Sequence, residues 1–339
     1  MTITDDLQTC LSRANGGLRR KIQESITLLQ KAEHIALKYD ADNGFFLGFS
    51  GGKDSQALIH LAQLAGVKFK AHFSPTTIDP PEVIRFIRRN YPEVEIIPPK
   101  ESIYAAAVRH GILPTMWIRW CCADFKEKYG VGKVVCTGVR KAESAKRSKR
   151  NEIEVINHKF SGNIDEFEEY SRKRIAKKLK HLNQDQFADV KETEIRCISG
   201  KDKIMLNPII EWSDSDVWMF LNDVVRVPHC ELYDQGITRI GCIGCPMASP
   251  KNKRAAFKRW PYVREKWIQT IQTIQMQLAQ GNVLGEKISP YVGGDSRAIA
   301  ETYFDWWLSN QSFDEWFAQR YQQLSFDFSE KSKQLNTNE

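Results

Sequence analysis

The chain holds no uninterrupted apolar run of the roughly 18 residues that a membrane-spanning helix needs, so no membrane partner is expected. Its opening stretch, MTITDDLQTC, carries acidic residues and no apolar segment, which predicts that it is not a secretory signal. These two readings predict a cytoplasmic protein. There is no internal repeat and no long low-complexity tract. The chain has eight cysteines, and in a reducing compartment these are not expected to form structural disulfides. Some of the thiols are therefore read as metal ligands or redox groups.

Two common phosphate-binding motifs are also missing. A P-loop needs a glycine five residues before Gly52, where the chain has Leu47, and Ser or Thr after the lysine, where it has Asp54. The dinucleotide fingerprint fails because no G-x-G-x-x-G triplet is present here. What is present is FFLGFSGGKDSQALIHLAQL, residues Phe45 to Leu64. An apolar run breaks into a glycine turn, and apolar residues then resume at helical spacing at Ala57, Leu58, Leu61 and Leu64. Strand, glycine loop and helix N-terminus together make an anion site, because bare N–H groups and the positive dipole end converge there. An ordinary tight turn is the alternative. Ser50, Gly51, Gly52, Lys53, Asp54 and Ser55 form an S-G-G-x-D-S sequence that resembles the PP-loop of the N-type ATP pyrophosphatases. That resemblance implies a loop holding the phosphates of an adenine nucleotide, with cleavage between the α and β phosphates.

Along the chain, residues 1–40 read as N-terminal helices. Residues 41–250 read as a nucleotide-binding domain with a charged helical insertion at about 151–195, residues 251–330 as a helical C-terminal region, and 331–339 as a disordered tail. Strands are expected at VKFKAHF, VEIIPP, KVVCTGV and Ile204–Ile209. Helices are expected at PPEVIRFIRRNYP, started and stopped by its prolines, and at SDSDVWMFL. Strands alternating with helices predict an α/β fold: a doubly wound, mostly parallel sheet covered on both faces. The ligand belongs beyond the carboxyl ends of its strands. The tryptophans after Pro250 recur at helical spacing and are read as packing between helices, with base stacking as the alternative.

Net charge is +7, unevenly spread. Between Arg140 and Lys180 lie RKAESAKRSKR and SRKRIAKKLK, either a solvated helix face or a surface for a polyanion such as DNA or RNA. Cys121 and Cys122 are adjacent, and Cys242 and Cys245 form C-x-x-C. Neighbouring thiolates do not easily span two vertices of one small tetrahedron but can reach two irons of a cubane, and a proline follows Cys245 as in many iron–sulfur runs. A [4Fe-4S] cluster is the expectation, with zinc or two exchanging dithiols as alternatives. Cys10, Cys136, Cys197 and Cys230 are read as buried small hydrophobes.

The PP-loop, TGVRKAES, LNPIIEWSDSDVW and LYDQGITRIGCIGC occur in an order that resembles the PAPS/APS reductase family, over roughly residues 45–246. The resemblance implies an adenine nucleotide alpha-hydrolase-like fold. It also implies a second phosphate-side loop from Gly138, Arg140, Glu143 and Ser144, support from Pro208 and Trp212, and a turn at Tyr233-Asp234. The Cys-Cys and Cys-x-x-Cys arrangement looks like that of the iron–sulfur APS reductases. Two departures stand out. The reductases carry Asp-Thr-Gly where this chain has Ser74-Pro75-Thr76, and they attack with a cysteine near the C-terminus, whereas no cysteine follows Cys245. The chain is closer in kind to the cluster-bearing ATP pyrophosphatases of DNA phosphorothioation systems. The expected activity is cleavage of ATP to AMP and pyrophosphate with Mg²⁺, which adenylates an acceptor such as DNA or RNA. Lys53, Asp54 and Arg140 would be catalytic, and sulfur would come from a cysteine desulfurase or other donor. The rival readings are an APS/PAPS reductase of sulfate assimilation and a non-catalytic module of a mobile-element or defence complex.

Overall fold

The computed structural model describes residues 6–155, 160–179, 203–279, 296–312 and 315–316. Cys197, the whole 180–195 stretch and the 331–339 tail lie outside the described residues. The chain divides into two compact units: Met1–Pro75, Asp79–Pro98 and Phe125–Gly241 make the first, and Thr76–Ile78, Pro99–Asp124 and Cys242–Glu339 make the second.

The first unit is built on a seven-stranded sheet of order β3-β2-β1-β4-β7-β5-β6. Its strands are β1 (Phe45–Gly48), β2 (Phe69–Phe73), β3 (Glu95–Ile96), β4 (Val134–Cys136), β5 (Ile153–Val155), β6 (Phe160–Gly162) and β7 (Ile204–Leu206). The first four and β7 run parallel, with Phe45 opposite Phe69, Phe46 opposite Val135 and Val134 opposite Ile204. A central parallel strand is covered on both faces, which explains why β1 is an unbroken apolar run: Phe45 and Leu47 are fully buried and Phe46 nearly so.

The helices around it obey local signals. Within residues 1–40, expected to be helical, the described part forms α1 (Leu7–Ser12) and α2 (Gly16–Tyr39). The break falls where the Asn15 side chain accepts the Leu18 N–H and starts the second helix. Helix α3 (Lys53–Ala65) ends on Gly66, whose φ of 67° suits a residue without a Cβ. Helix α4 (Pro81–Asn90) starts on proline and stops before Pro92.

Two expectations need correction. The segment read as a helical insertion at about 151–195 begins instead with β5 and β6, an antiparallel pair that extends the sheet beyond β7, and only then becomes α7 (Ile164–Leu179). Strands of three residues are too short to show a period of two, and Glu152 and Glu154 on either side of the fully buried Ile153 hide its burial. The VEIIPP strand pairs over Glu95–Ile96 alone.

The second unit is largely helical. It holds α5 (Ile103–His110), the single turn α6 (Trp120–Cys122), α9 (Pro250–Arg259), α10 (Pro261–Ala279) and α11 (Ser296–Ser309). The intervening α8 (Asp214–Met219) belongs to the first unit. Both α5 and α11 pack on α10. Trp267 is fully buried, 4.9 Å from the Tyr104 ring and 5.7 Å from that of Trp307, so these aromatics serve packing, as their spacing predicts.

Candidate functional site

In the sheet order β3-β2-β1-β4-β7, sequential strands run outward in opposite directions from the β1–β4 boundary. At such a switch point the loops leaving two adjacent strands diverge and open a crevice beyond the strands' carboxyl ends. The loop after β1 is Ser50–Gly52, and the loop after β4 is Gly138–Arg140. The first turns on Gly51, at φ 72°, where a Cβ would lie 3.0 Å from Ile87 and 3.1 Å from Val83. It is fixed by Ser55, whose hydroxyl accepts the Ser50 N–H at 3.1 Å and donates to the Gly52 carbonyl at 2.8 Å. The two loops touch at Gly138, where a Cβ would stand 2.9 Å from the carbonyl carbon and oxygen of Asp54. Only glycine allows that approach.

Four charged side chains meet here. Arg140, 2% exposed, donates from Nε to Asp54 Oδ1 at 2.7 Å, from Nη2 to Asp214 Oδ1 at 2.9 Å and from Nη1 to the Trp212 carbonyl at 3.3 Å. Lys53 Nζ, also buried, lies 3.3 Å from Asp54 Oδ2 and 3.0 Å from Asp214 Oδ1. Burial works against the Asp214 carboxylate, but the hydrogen bond and charge of Lys53 and the charge of Arg140 outweigh it and hold the group below the usual carboxylate range. The N-cap position of α3 falls to Gly52, so Asp54 is not a cap; its carboxylate joins the two cations to the loop. The Lys53 backbone N–H donates to the Tyr233 hydroxyl at 2.8 Å.

The structure thus brings Ser50, Gly51, Gly52, Lys53, Asp54, Ser55, Gly138 and Arg140 together. Glu143 and Ser144 serve their own turn: Glu143 accepts the Arg140 N–H at 3.2 Å and pairs with Arg147, and Ser144 Oγ accepts the Arg147 N–H at 3.3 Å. Trp212 is buried and donates its indole N–H to Ser25 Oγ at 3.1 Å, which anchors the segment ahead of α8. Asp214 escaped the sequence reading altogether. The one available signal was a polar SDSD run at a helix start, and that reads as capping. Ser213 and Asp216 do form the capping box, which leaves the Asp214 carboxylate uninvolved in it.

In the second unit, the Cys121 thiol is pushed up. The hydrogen bond with Cys122, burial, and the charges of Cys122, Cys242 and Cys245 all act on it. The four cysteines therefore share one neighbourhood. Cys122 Sγ accepts from Arg119 Nη2 at 3.1 Å and Cys242 Sγ from Thr76 Oγ1 at 3.3 Å. Thr76 belongs to the Ser-Pro-Thr departure noted above. The C-x-x-C turn is closed by Cys245 N–H on the Cys242 carbonyl at 3.1 Å and tied to Ile78 O by Ile243 N–H at 2.8 Å. Gly244, at φ 67°, lies against Phe257 so closely that a Cβ would meet the ring at 2.1 Å.

Among the described residues no group of three or more His, Cys, Asp or Glu side chains stands in ion-binding geometry. Four thiolates around a single zinc would lie about 3.8 Å apart, given a metal–sulfur bond of about 2.3 Å. A cubane, with each thiolate on a different iron, asks for a wider ring of four soft donors. Cys121, Cys122, Cys242 and Cys245 offer the four soft donors that either group takes. No disulfide forms among the described cysteines. Cys10, Cys136 and Cys230 are buried, and burial pushes the thiols of Cys136 and Cys230 up.

A model of the phosphoadenosine phosphosulfate reductase domain matches residues 44–248, more than half of the chain. The chain belongs to that family. Both loops of the crevice and all four cysteines of the second unit fall inside the matched reductase domain. Two uncharacterized proteins of Methanocaldococcus jannaschii are similar to it, at 26% identity over 66% of this chain and 27% over 71%. The chain spans 46% and 43% of their lengths, less than half of each. Among solved structures, an FMN adenylyltransferase of Candida glabrata is 16% identical over 72% of each chain with a TM-score of 0.40. A phosphoadenylyl-sulfate reductase of Candida auris, in a phosphate complex, is 16% identical over 71% of this chain and 98% of that one, with a TM-score of 0.37. Likeness of that degree says nothing about the site. Among the described residues no helix is long and apolar enough to cross a membrane.

Proposed function

We propose that this member of the phosphoadenosine phosphosulfate reductase domain family binds ATP with Mg²⁺ at the β1–β4 crevice, cleaves it between the α and β phosphates, and adenylates an acceptor. One observation carries the reading: two buried cations, Lys53 and Arg140, are held beside a glycine loop at a helix N-terminus, at the switch point of a parallel sheet. The acceptor oxygen attacks the α-phosphorus and pyrophosphate leaves. Such a step asks for positioning and charge neutralisation rather than a covalent nucleophile. Lys53 and Arg140 supply the charge. Arg140 is aligned by Asp54 and the Trp212 carbonyl, so its planar fork is already oriented for phosphoryl oxygens. Further donors would be the N–H groups of Gly52 and Lys53, which a phosphate would take over from Ser50 Oγ at 3.4 Å and the Tyr233 hydroxyl at 2.8 Å. Asp54 is the candidate carboxylate to hold Mg²⁺, which when bound would help to neutralise the phosphate charge.

Cys121, Cys122, Cys242 and Cys245 are proposed to hold a [4Fe-4S] cluster. When bound, such a cluster would supply a site for sulfur to be held or passed on, with a cysteine desulfurase or similar protein as donor and DNA or RNA as first choice of acceptor. Four thiols converging in one unit, with hydroxyl and guanidinium donors at two of the sulfurs, support this.

Pyrophosphate release from ATP by the purified chain, stimulated by nucleic acid, tests the proposal. Lys53→Ala should abolish the release and weaken ATP binding by about ten-fold or more, since a buried charge-assisted contact is lost. Undiminished ATP affinity in that variant overturns it. The family name favours a second reading, reduction of a sulfated nucleotide. Against it, the described thiols outside the group of four are buried, and those of Cys136 and Cys230 are pushed up by burial. Sulfite release from PAPS at a catalytic rate, lost in Cys230→Ser, would establish that reading instead.

A further inference from the structure

Asp214 Oδ1 is bridged by two cations, Lys53 Nζ at 3.0 Å and Arg140 Nη2 at 2.9 Å. One oxygen shared between an ammonium and a guanidinium is also the contact a phosphoryl oxygen would make with these groups. The other anion in the network behaves differently. Asp54 sits on the first turn of α3 beneath Gly138, with its side chain 25% exposed, whereas the Asp214 side chain is 65% exposed. Water can therefore take over the Asp214 carboxylate at little cost, while Lys53 and Arg140, with side chains 5% and 3% exposed, stay in place. If Asp214 leaves, Arg140 keeps Asp54 and the Trp212 carbonyl. Helix α8 also survives the movement, because its cap is made by Ser213 and Asp216.

We propose that Asp214 is a displaceable stand-in for a ligand phosphate, and that the need to displace it lowers the affinity of the crevice for every phosphate by a common factor, so that only a ligand with further contacts binds well. The inference rests on the nucleotide reading of the loop. A tethered carboxylate competes at a high effective concentration. Every anion pays that same cost, so useful affinity is kept only where a second phosphate adds contacts that a monophosphate lacks. The built-in competitor sets a threshold, and the attractive contacts set the ratio between ligands.

Calorimetry on the full chain, with inorganic phosphate, AMP, pyrophosphate and ATP as probes, tests this in Asp214→Asn, Asp214→Ser and Asp214→Glu. Both neutral variants should bind all four probes about five- to ten-fold more tightly, by a common factor, the scale of a largely exposed ion pair. Asp214→Glu should restore the wild-type affinities. Unchanged or weaker binding of all four probes in the neutral variants overturns the proposal, since Asp214 would then be inert or would hold the cations ready for the ligand. Wild-type protein that binds neither ATP nor pyrophosphate would overturn the nucleotide reading and this inference with it. ATP binding that is indifferent to Asp214 would remove this inference alone.

Discussion

The hydroxyl of Tyr233 accepts the backbone N–H of Lys53 at 2.8 Å, across 180 positions of sequence. That N–H is one of the first donors of α3, a group that a helix leaves without a partner of its own. Tyr233 therefore ties the turn before the C-x-x-C run to the mouth of the phosphate loop, within the first unit. Tyr233→Phe should cost about 1 kcal/mol, the usual net value of such a bond, plus some desolvation of the orphaned donor. Thermal melts with and without ATP check both halves of the argument. The deficit should shrink at saturating ATP, when phosphate oxygens take over the N–H. A deficit that persists in full would show that this N–H never meets the ligand.

Gly138 is where the two loops meet. A methyl group there would press on the Asp54 carbonyl at 2.9 Å, and backbone cannot step aside as a side-chain tip can. Gly138→Ala should destabilise the first unit by about 2 kcal/mol, as overpacking does. Because Asp54 shifts with its carbonyl, the Arg140–Asp54 contact should loosen and ATP affinity should fall. A variant with wild-type stability and affinity would show the contact to be soft.

The four cysteines make a prediction about metal. Protein purified without oxygen should be brown and contain iron and acid-labile sulfide. Cys242→Ser should bleach it and lower its melting temperature, because cluster binding is also folding free energy for the segments it joins. Stoichiometric zinc without sulfide would replace the cluster with a single-ion site.

His60 gives the first unit a pH dependence. Its imidazole is buried, with Nδ1 donating to Gln63 Oε1 at 2.9 Å and Nε2 accepting from the Tyr91 hydroxyl at 3.0 Å. Burial pulls its pKa from 6.5 down to about 4. Between those two values the unfolded chain binds a proton that the folded chain refuses, so stability falls as pH drops through the window. The loss approaches about 3 kcal/mol at the lower end. Denaturant midpoints at pH 7 and pH 4.5 should differ more for the wild type than for His60→Gln, which has no proton to take. Equal differences would assign the acid sensitivity to other groups.

Local order was legible in the sequence because it is written in neighbouring residues. The apolar run of β1, the glycine break and the helical spacing from Ala57 to Leu64 specify strand, turn and helix. Pro80-Pro81 and Pro92 mark the limits of α4, and the motif order pointed to the family. The site role of Arg140 was named only through resemblance, whereas the four cysteines stood out by their own adjacent and C-x-x-C spacing. The hairpin of β5 and β6 was not legible, because strands of three residues have too little period to read and their pairing depends on the exposed edge of β7.

Asp214 and Tyr233 show the deeper limit. Asp214 pairs with Arg140 across 74 positions and Tyr233 with Lys53 across 180. Locally, one looks like a residue of a helix start and the other like part of a turn. Sequence by itself determined that a strand, a glycine turn and a helix N-terminus follow one another, since φ preferences, helix dipoles and apolar periodicity act over a few residues. Only the tertiary structure decided which carboxylate and which hydroxyl face that loop, because desolvated charges and orphaned donors are satisfied by whatever the sheet brings within 3 Å of them.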